Sequence, residues 1–240
     1  MNKYKRVVLK LSGEALANTE QKLILNESRL KTIAKAVKDL WLEDVEIGIV
    51  IGAGNIWRGA MSKEIGIARS TADYMGMLGT IINSLALQSA LEDIDVPTRV
   101  MSSIEVNAVC EPYIKRVAVN HFDKKRVVIF AGGTGNPFFT TDSNAALKAL
   151  DVDAEAILMA KNGVKGVYSD DPRINPDATL FTHLTYQEYI HKGLKAMDQT
   201  AVSLLSESRI DTIVFSMEDP DNFVKAVKGE NIGTKICKGA

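Results

Sequence analysis

The sequence predicts an α/β protein with a mainly parallel central sheet that is covered by helices on both faces. Short runs rich in β-branched residues recur along the chain, and each ends in glycine or another turn signal. Segments with apolar residues at helical spacing lie between these runs. Since parallel neighbours need crossover connections, this alternation predicts a three-layer α/β/α sandwich. Ligands are expected at the carboxyl ends of the strands.

The runs predict five strands, at residues 6–11, 46–51, 126–131, 154–160 and 211–215. Apolar periodicity predicts helices around residues 30–41, 73–91, 113–122 and 185–190, and two further helices that begin near Asp142 and Asp198. No repeat, low-complexity tract or linker interrupts the chain. We therefore expect a single domain over residues 1–240, with a softer boundary between two lobes near residues 150–153.

Composition excludes several classes of protein. The chain has 29 basic and 30 acidic residues, so no global positive field favours nucleic acid. Two cysteines and three histidines are too few for a disulfide framework or a zinc site, which indicates a reducing cytosol and no resident metal. The basic N-terminus runs directly into the first strand without the apolar core of a signal peptide. A cytoplasmic protein is expected.

The predicted helix at residues 73–91 is apolar on more than one face. Residues 75–91 carry no charge, yet this stretch is shorter than the roughly 20 residues that span a membrane. Thr80 and Asn83 also interrupt it. Such a helix is a central core helix or a subunit interface, and we prefer the core interpretation.

Three glycine-rich turns follow three of the predicted strands. They are Lys10-Leu-Ser-Gly13, the turn from Gly52 to Arg58, and the segment 131–142. Each turn alone has an ordinary explanation, as a tight turn or as a helix cap in the case of Thr140, Thr141 and Asp142. Together they predict several phosphates in one cleft, held by backbone amides, Lys10 and Arg58. Because no G-x-x-x-x-G-K-[ST] motif occurs, a P-loop is excluded, and magnesium is expected to accompany the nucleotide.

The second half of the chain offers weaker signals. Tyr168 could stack on a base and Asp171 could cap a turn or bind a ribose, but a plain hairpin over residues 161–172 explains the same residues equally well. Asp198 opens an apolar helix, where an aspartate is by default an N-cap. The three histidines have no spaced partners and are interpreted as structural.

The ordered motifs Lys-Leu-Ser-Gly, Gly-Ala-Gly-Asn with Arg58, Ala-Asp-Tyr-Met-Gly, Gly-Thr-Gly-Asn-Pro-Phe-Phe-Thr-Thr-Asp and Met-Asp resemble those of the bacterial UMP kinases, part of the amino acid kinase family. The resemblance covers nearly the whole chain. It implies the amino acid kinase fold, the substrates ATP and UMP with Mg²⁺, the products ADP and UDP, and a homohexamer. It also implies an N-terminal UMP-binding lobe and a C-terminal ATP-binding lobe.

Residue by residue, the resemblance implies two catalytic groups, Lys10 and Asp198, with Asp198 near the reacting phosphates, where it would orient Lys10. The residues implied for ATP are Lys10, Leu11, Ser12, Gly13, Gly54, Arg58, Asn162, Tyr168 and Asp171. Those implied for UMP are Ala53, Asp73, Thr134, Gly135, Asn136, Pro137, Phe138, Phe139, Thr140 and Thr141.

The chain departs from the family pattern in two places. Ala53 stands where glycine is usual, so a positive φ at this position would weaken UMP binding. Residues 20–26 lack the glycine-rich character of the family's GTP-responsive loop, so activation by GTP is not expected. Two alternatives remain: a relative that phosphorylates a small carboxylate, carbamate or isopentenyl phosphate, and a non-catalytic nucleotide sensor that acts through oligomer contacts.

Overall fold

The computed structural model describes residues 2–18, 20–59 and 61–239. The strands among these residues form one nine-stranded sheet. The strands are β1 Arg6–Leu11, β2 Glu46–Ile51, β3 Thr98–Ser102, β4 Glu111–Pro112, β5 Val127–Ala131, β6 Ala156–Lys161, β7 His183–Thr185, β8 Asp211–Ser216 and β9 Gly233–Cys237. Their spatial order is β4-β3-β5-β2-β1-β6-β8-β9-β7. Every neighbouring pair is parallel except β8 and β9. The predicted mainly parallel sheet is confirmed.

Helices cover both faces of the sheet. A 3-10 helix occupies Gly13–Leu16, and the α-helices are α1 Glu27–Leu42, α2 Met61–Glu64, α3 Arg69–Glu92, α4 Lys115–Asp123, α5 Thr141–Asp151, α6 Tyr186–His191, α7 Gln199–Ser206 and α8 Asn222–Lys228. Apolar residues of α1, α3 and α8 form one core with the sheet, and those of α4 to α7 form a second core on the opposite face. This is the expected α/β/α sandwich.

The central strand β1 shows how the two cores divide. Val7, Leu9 and Leu11 belong to the core under α1, α3 and α8, whereas Val8 belongs to the core under α4 to α7. Successive side chains of a strand point to opposite faces, so Lys10 shares the face of Val8. This alternation directs the lysine toward α5.

All five predicted strands are confirmed, with ends shifted by two residues or fewer. Four strands, β3, β4, β7 and β9, were not predicted, because they are short and carry polar residues at most positions. The hairpin interpretation of residues 161–172 is wrong. After β6 the chain enters a loop in which Tyr168 makes only an isolated antiparallel bridge to Leu180.

The helix predicted at residues 73–91 begins earlier, at Arg69, and its two faces differ. One face is buried and includes Ile81, Leu87 and Leu91. The other exposes Tyr74, Leu78 and Ile82, with 43, 48 and 48% of their surfaces accessible. The core interpretation therefore accounts for only one side of α3. Across the described ranges, no helix combines the length and the apolar character needed to cross a membrane.

Candidate active site

The turns after β1 and β2 meet at the carboxyl edge of the sheet, as their order predicted. Gly52 donates its N–H to the Leu11 carbonyl at 3.0 Å. A Cβ at Gly13 would lie 2.4 Å from the Gly52 carbonyl oxygen, so this approach requires glycine. Buried Asn83 of α3 donates to the same carbonyl at 2.7 Å and also to Asn55 at 2.8 Å. In the sequence Asn83 stands out only as an interruption of an apolar helix, but in the structure it anchors the turn after β2.

Lys10 lies at the centre of this edge and pairs with Asp142 in the first turn of α5. The Lys10 Nζ is 2.8 Å from Asp142 Oδ1, and the two side chains are only 10 and 13% exposed. Because β1 and α5 place them on the same face of the sheet, the pair follows from the alternation of β1. Asp142 had been considered only as a helix cap; the cap is Thr140, whose hydroxyl accepts from the backbone N–H groups of Asp142 and Ser143.

A second lysine, Lys161 at the end of β6, completes what we call the lysine cluster: Lys10, Lys161 and Asp142. Burial, and then the charge of Lys10, lower the pKa of Lys161. Burial would raise the pKa of Asp142, but the charges of Lys10 and Lys161 outweigh it and hold that pKa below its usual range. Two cations around one carboxylate leave a net positive charge. Lys161 was not among the residues predicted for the site, although its place at the end of a central strand was a usable signal.

The ion pair of Lys10 is with Asp142 rather than with Asp198, and the catalytic role expected of Asp198 stays a prediction. The carboxylate paired with Lys10 is Asp142, because α5 starts directly beside the end of β1. Asp198 is the N-cap of α7 and accepts from the Ala201 N–H at 3.0 Å. It also accepts from the hydroxyls of Thr140 and Ser143 at the start of α5. Asp198 therefore joins the starts of α5 and α7 beside the lysine cluster.

The residues predicted for UMP gather around a cavity that we call the α3 cleft, between α3 and the turn before α5. It holds about 580 Å³ of empty space, part of it open to solvent. It is lined by Ala53, Trp57, Gly59, Ala72, Asp73, Gly76, Met77, Thr80, Gly133, Thr134, Asn136, Phe139, Thr140 and Thr141. Of the predicted residues, Gly135, Pro137 and Phe138 do not line it. Trp57 and Met77 were not predicted, and as apolar side chains they offer a surface to a base.

Ala53 adopts an ordinary backbone conformation, since it is absent from the residues with positive φ. Its methyl group is buried, and a Cβ at Gly79 of α3 would lie 2.9 Å from it. The alanine thus packs against a glycine of α3. The condition under which Ala53 would weaken UMP binding is not met.

Arg58 and Gly54 lie beside the Gly13 turn. The Arg58 Nε–H donates to the Gly54 carbonyl at 3.2 Å, and the guanidinium pairs with Glu14 at 2.6 Å. Ser12 precedes the 3-10 helix in an extended conformation, and Leu11 is fully buried. The first two turns and Arg58 are thereby brought together.

The other residues predicted for ATP lie on the β6 side. Asn162 is exposed directly after Lys161, at the edge of the lysine cluster. Tyr168 and Asp171 lie in the loop that follows, where Asp171 binds Arg173 through its side chain at 2.8 Å. Hydrogen bonds from Arg173 lower the pKa of Asp171 to about 2.

The residues around the cluster fit a metal that arrives with a nucleotide. Within the described ranges there is no group of three or more His, Cys, Asp or Glu side chains able to hold a metal ion. Mg²⁺ in phosphoryl-transfer sites is held mainly by phosphate oxygens and water, with one or two carboxylates. Asp198 and Asp142 supply that small number of oxygens.

Comparisons with known proteins agree with this geometry. The profile described as "Amino acid kinase family" matches residues 5–216. A curated uridylate kinase from Limosilactobacillus reuteri is 52% identical over 234 residues, which cover 98% of this chain and 97% of the relative. The crystal structure of UMP kinase from Bacillus anthracis is similar with a TM-score of 0.95 and 42% identity, over 99% of this chain and 97% of that one. UMP kinase from Ureaplasma parvum gives a TM-score of 0.92 at 38% identity, over 98 and 99% of the two chains. With a family match over most of its length and relatives of this similarity, the chain belongs to the amino acid kinase family.

Proposed function

We propose that this chain transfers the γ-phosphoryl group of ATP to UMP and releases ADP and UDP. The observation that carries the proposal is the continuity of segment 140–142. Thr140 and Thr141 line the α3 cleft, and the next residue, Asp142, pairs with Lys10 in the lysine cluster. A nucleotide in the cleft with its phosphate toward Thr140 and Thr141 would place that phosphate beside the two lysines.

The acceptor needs no general base. The second pKa of a phosphate monoester is about 6, so the attacking oxygen of UMP is already mostly ionised at neutral pH. The barrier lies in bringing two polyanions together in line. Lys10 and Lys161 counter the charge that builds up on the transferred group, while Asp142 holds Lys10 in place.

The donor side consists of the first two turns and the β6 edge. The backbone amides of Ser12 and Gly13 face the phosphates of ATP beside Lys10, and Leu11 supports the turn from the core. Arg58, together with Gly54, adds a planar guanidinium on the same side. Asn162, Tyr168 and Asp171 are proposed to hold the adenosine. The Asp171 carboxylate is hydrogen-bonded to Arg173, so a ribose would have to displace this arginine in order to bind Asp171.

Mg²⁺ is proposed to enter with ATP, and Asp198 and Asp142 are the side chains able to hold it, directly or through water. The metal held by these carboxylates would supply positive charge that neutralises the charge developing on the transferred phosphoryl group. The hydroxyls of Thr140 and Ser143 fix the Asp198 carboxylate, so the protein orients this ligand before the nucleotide arrives.

The α3 cleft is proposed to hold UMP, with the loop of residues 134–139 as its outer wall. Asp73 is the one acidic residue that lines the cleft among the described residues. A carboxylate repels phosphate but accepts hydrogen bonds from hydroxyls, so Asp73 is assigned to the ribose. Thr134, Asn136 and Phe139 then surround the base, together with Ala53 at the floor. Gly135, Pro137 and Phe138 shape the loop behind this lining.

The domain organisation, the oligomeric state and the cellular location of this chain are also proposals. One sheet runs through the whole chain, which supports a single domain whose two lobes, divided near residues 150–153, carry UMP and ATP respectively. The exposed stripe of Tyr74, Leu78 and Ile82 on α3 supports a homo-oligomer, for which we propose a hexamer. Two free cysteines, Cys110 and Cys237, are consistent with a cytoplasmic location.

An acceptor screen tests the proposed function. Purified protein with ATP and Mg²⁺ is offered UMP, CMP and dUMP, and the products are separated by chromatography. UDP from UMP is expected to form fastest. If UMP gives no UDP while a carboxylate, carbamate or isopentenyl phosphate is phosphorylated, the chain is a different kinase of the same fold. If ATP and UMP bind but no acceptor reacts, the chain is a nucleotide sensor.

A further inference from the structure

Arg69, the first residue of α3, contacts the carboxylate assigned to the acceptor. Its Nε lies 3.1 Å from Asp73 Oδ1 and 3.0 Å from Asp73 Oδ2, one helical turn away. The Arg69 side chain is 62% exposed, but that of Asp73 is only 17% exposed. An exposed arginine therefore orients a largely enclosed carboxylate, although Arg69 itself does not line the α3 cleft.

The same carboxylate holds the loop at residues 134–139. Asp73 Oδ2 accepts the backbone N–H of Phe138 at 2.8 Å. Phe138 has φ +73, a left-handed conformation that is unfavourable for a bulky side chain and persists only where surrounding contacts impose it. Its ring is exposed, and the Arg69 guanidinium carbon lies 5.7 Å from the ring centroid. Arg69 thus touches both partners of the Asp73–Phe138 hydrogen bond.

Hydrogen-bond capacity indicates which oxygen remains for a ligand. A carboxylate accepts about four hydrogen bonds, two on each oxygen. Arg69 is shared between both oxygens, and Phe138 takes a second position on Oδ2. The open position is on Oδ1, which faces Gly59, since a Cβ there would be 3.9 Å away. Gly59 and Asp73 both line the α3 cleft, so this oxygen lies beside the cleft.

We propose that Arg69 is a positioning residue for the acceptor nucleotide. It holds the Asp73 carboxylate with Oδ1 toward the ribose, and through the hydrogen bond between Asp73 and the Phe138 N–H it holds the loop of residues 134–139 against α3. The inference rests on the proposed function, since it assigns Asp73 to the acceptor. An exposed ion pair one helical turn apart contributes little to stability, so its main effect is expected on acceptor binding.

The first test measures steady-state kinetics of Arg69→Gln. We expect the KM for UMP to rise about tenfold, the effect of losing one charge-assisted contact. The kcat, the KM for ATP and the melting temperature should stay near the wild-type values. Lys31→Gln removes a comparable pair one turn apart, with Glu27 on α1, and serves as the matched control that changes none of these. Arg69→Lys should recover part of the lost UMP affinity.

A double-mutant cycle with Asp73→Asn distinguishes positioning of Asp73 by Arg69 from a purely structural role of Arg69. The quantity compared is the affinity for UMP. If Arg69 acts through Asp73, the double variant binds UMP no more weakly than Asp73→Asn alone. The preference for UMP over dUMP should also shrink in Arg69→Gln, because the ribose contact is loosened. Additive losses, or equal losses for ATP and UMP with a lower melting temperature, would overturn the proposal.

Phe138→Gly separates the loop backbone from the aromatic ring. Glycine keeps the left-handed conformation without strain, so the N–H can still reach Asp73. A modest rise in the KM for UMP is expected, smaller than for Arg69→Gln. A rise in the KM for UMP larger than that of Arg69→Gln would show that the Phe138 ring itself contributes most to UMP binding. That result would contradict the positioning role proposed for Arg69. If the wild-type chain makes no UDP, the proposed function fails; if it does and Arg69→Gln is unchanged, only this inference fails.

Discussion

Lys10 and Asp142 form a 2.8 Å ion pair between the central strand β1 and the first turn of α5, where both side chains are largely shielded from water. The charge of Lys161, whose Nζ donates to the Ala196 carbonyl at 2.7 Å, also lowers the pKa of this carboxylate. The ion pair therefore links Lys10, in the interior, to the start of α5. The residues directly before Asp142, Thr140 and Thr141, line the α3 cleft. Substitution of Lys10 tests what the pair contributes to catalysis, and substitution of Asp142 tests what it contributes to stability.

Lys10→Met is expected to abolish most turnover and to retain nucleotide binding. The substitution removes a cation whose main effect is on the charge that builds up as the phosphoryl group moves, so kcat should fall by about 10²–10³ or more. Calorimetric titration should still detect ATP and UMP. Lys31→Gln, on the exposed face of α1, controls for loss of a lysine charge. Unchanged turnover in Lys10→Met would favour the nucleotide sensor.

Asp142→Asn is expected to reduce the dependence of protein stability on pH in the acidic range. The folded-state pKa of Asp142 lies below its ordinary value of 3.8, so the unfolded chain binds the proton more readily. The stabilising contribution is therefore complete above that value and is lost as pH falls through the folded pKa. Melting temperatures between pH 2.5 and 7, values chosen to bracket the titration of carboxyl groups at about 4, provide the measurement. Parallel profiles for the two proteins would contradict this assignment.

Lys148→Met is expected to stabilise the protein at neutral pH. Burial lowers the pKa of Lys148 from 10.5 to about 8, and its Nζ lies 3.2 Å from the centroid of the Tyr113 ring. The folded chain thus holds this proton less tightly, so wild-type stability rises between these two pH values. We expect a gain of about 1–3 kcal/mol in unfolding free energy at pH 7, which shrinks toward pH 10.5. Urea unfolding at both pH values measures it, and a loss of stability at pH 7 would show that the contact with Tyr113 dominates.

Leu78→Glu is expected to dissociate the proposed oligomer. Leu78 lies between Tyr74 and Ile82 in the exposed stripe of α3, and burying a carboxylate there against another subunit is unfavourable. Light scattering should report a smaller assembly than the wild type, with the fold intact by circular dichroism. Ile174→Glu, at an exposed residue in the loop after β6, is the control that should leave the assembly unchanged. A monomeric wild type would refute the oligomer.

The sequence by itself determined the architecture and the position of the site. Alternating β-branched and helical segments specify parallel strands with crossover helices, because each element has to bury one apolar face. Glycine-rich turns after β1, β2 and β5 predict where ligands bind, because parallel strands end at one edge. Short strands such as β3 and β9 escaped prediction, since five residues that include polar side chains give no clear apolar pattern.

Only the tertiary structure decided which charges meet. Nothing in the local sequence distinguishes Asp142, which pairs with Lys10, from Asp198, which caps α7. The choice depends on how α5 packs across β1, a contact between residues more than a hundred positions apart. The backbone at Ala53 and the hydrogen bond from the Phe138 N–H to Asp73 were decided in the same way. Local patterns specify where elements form, whereas pairwise electrostatics depend on distances of a few ångströms that only packing sets.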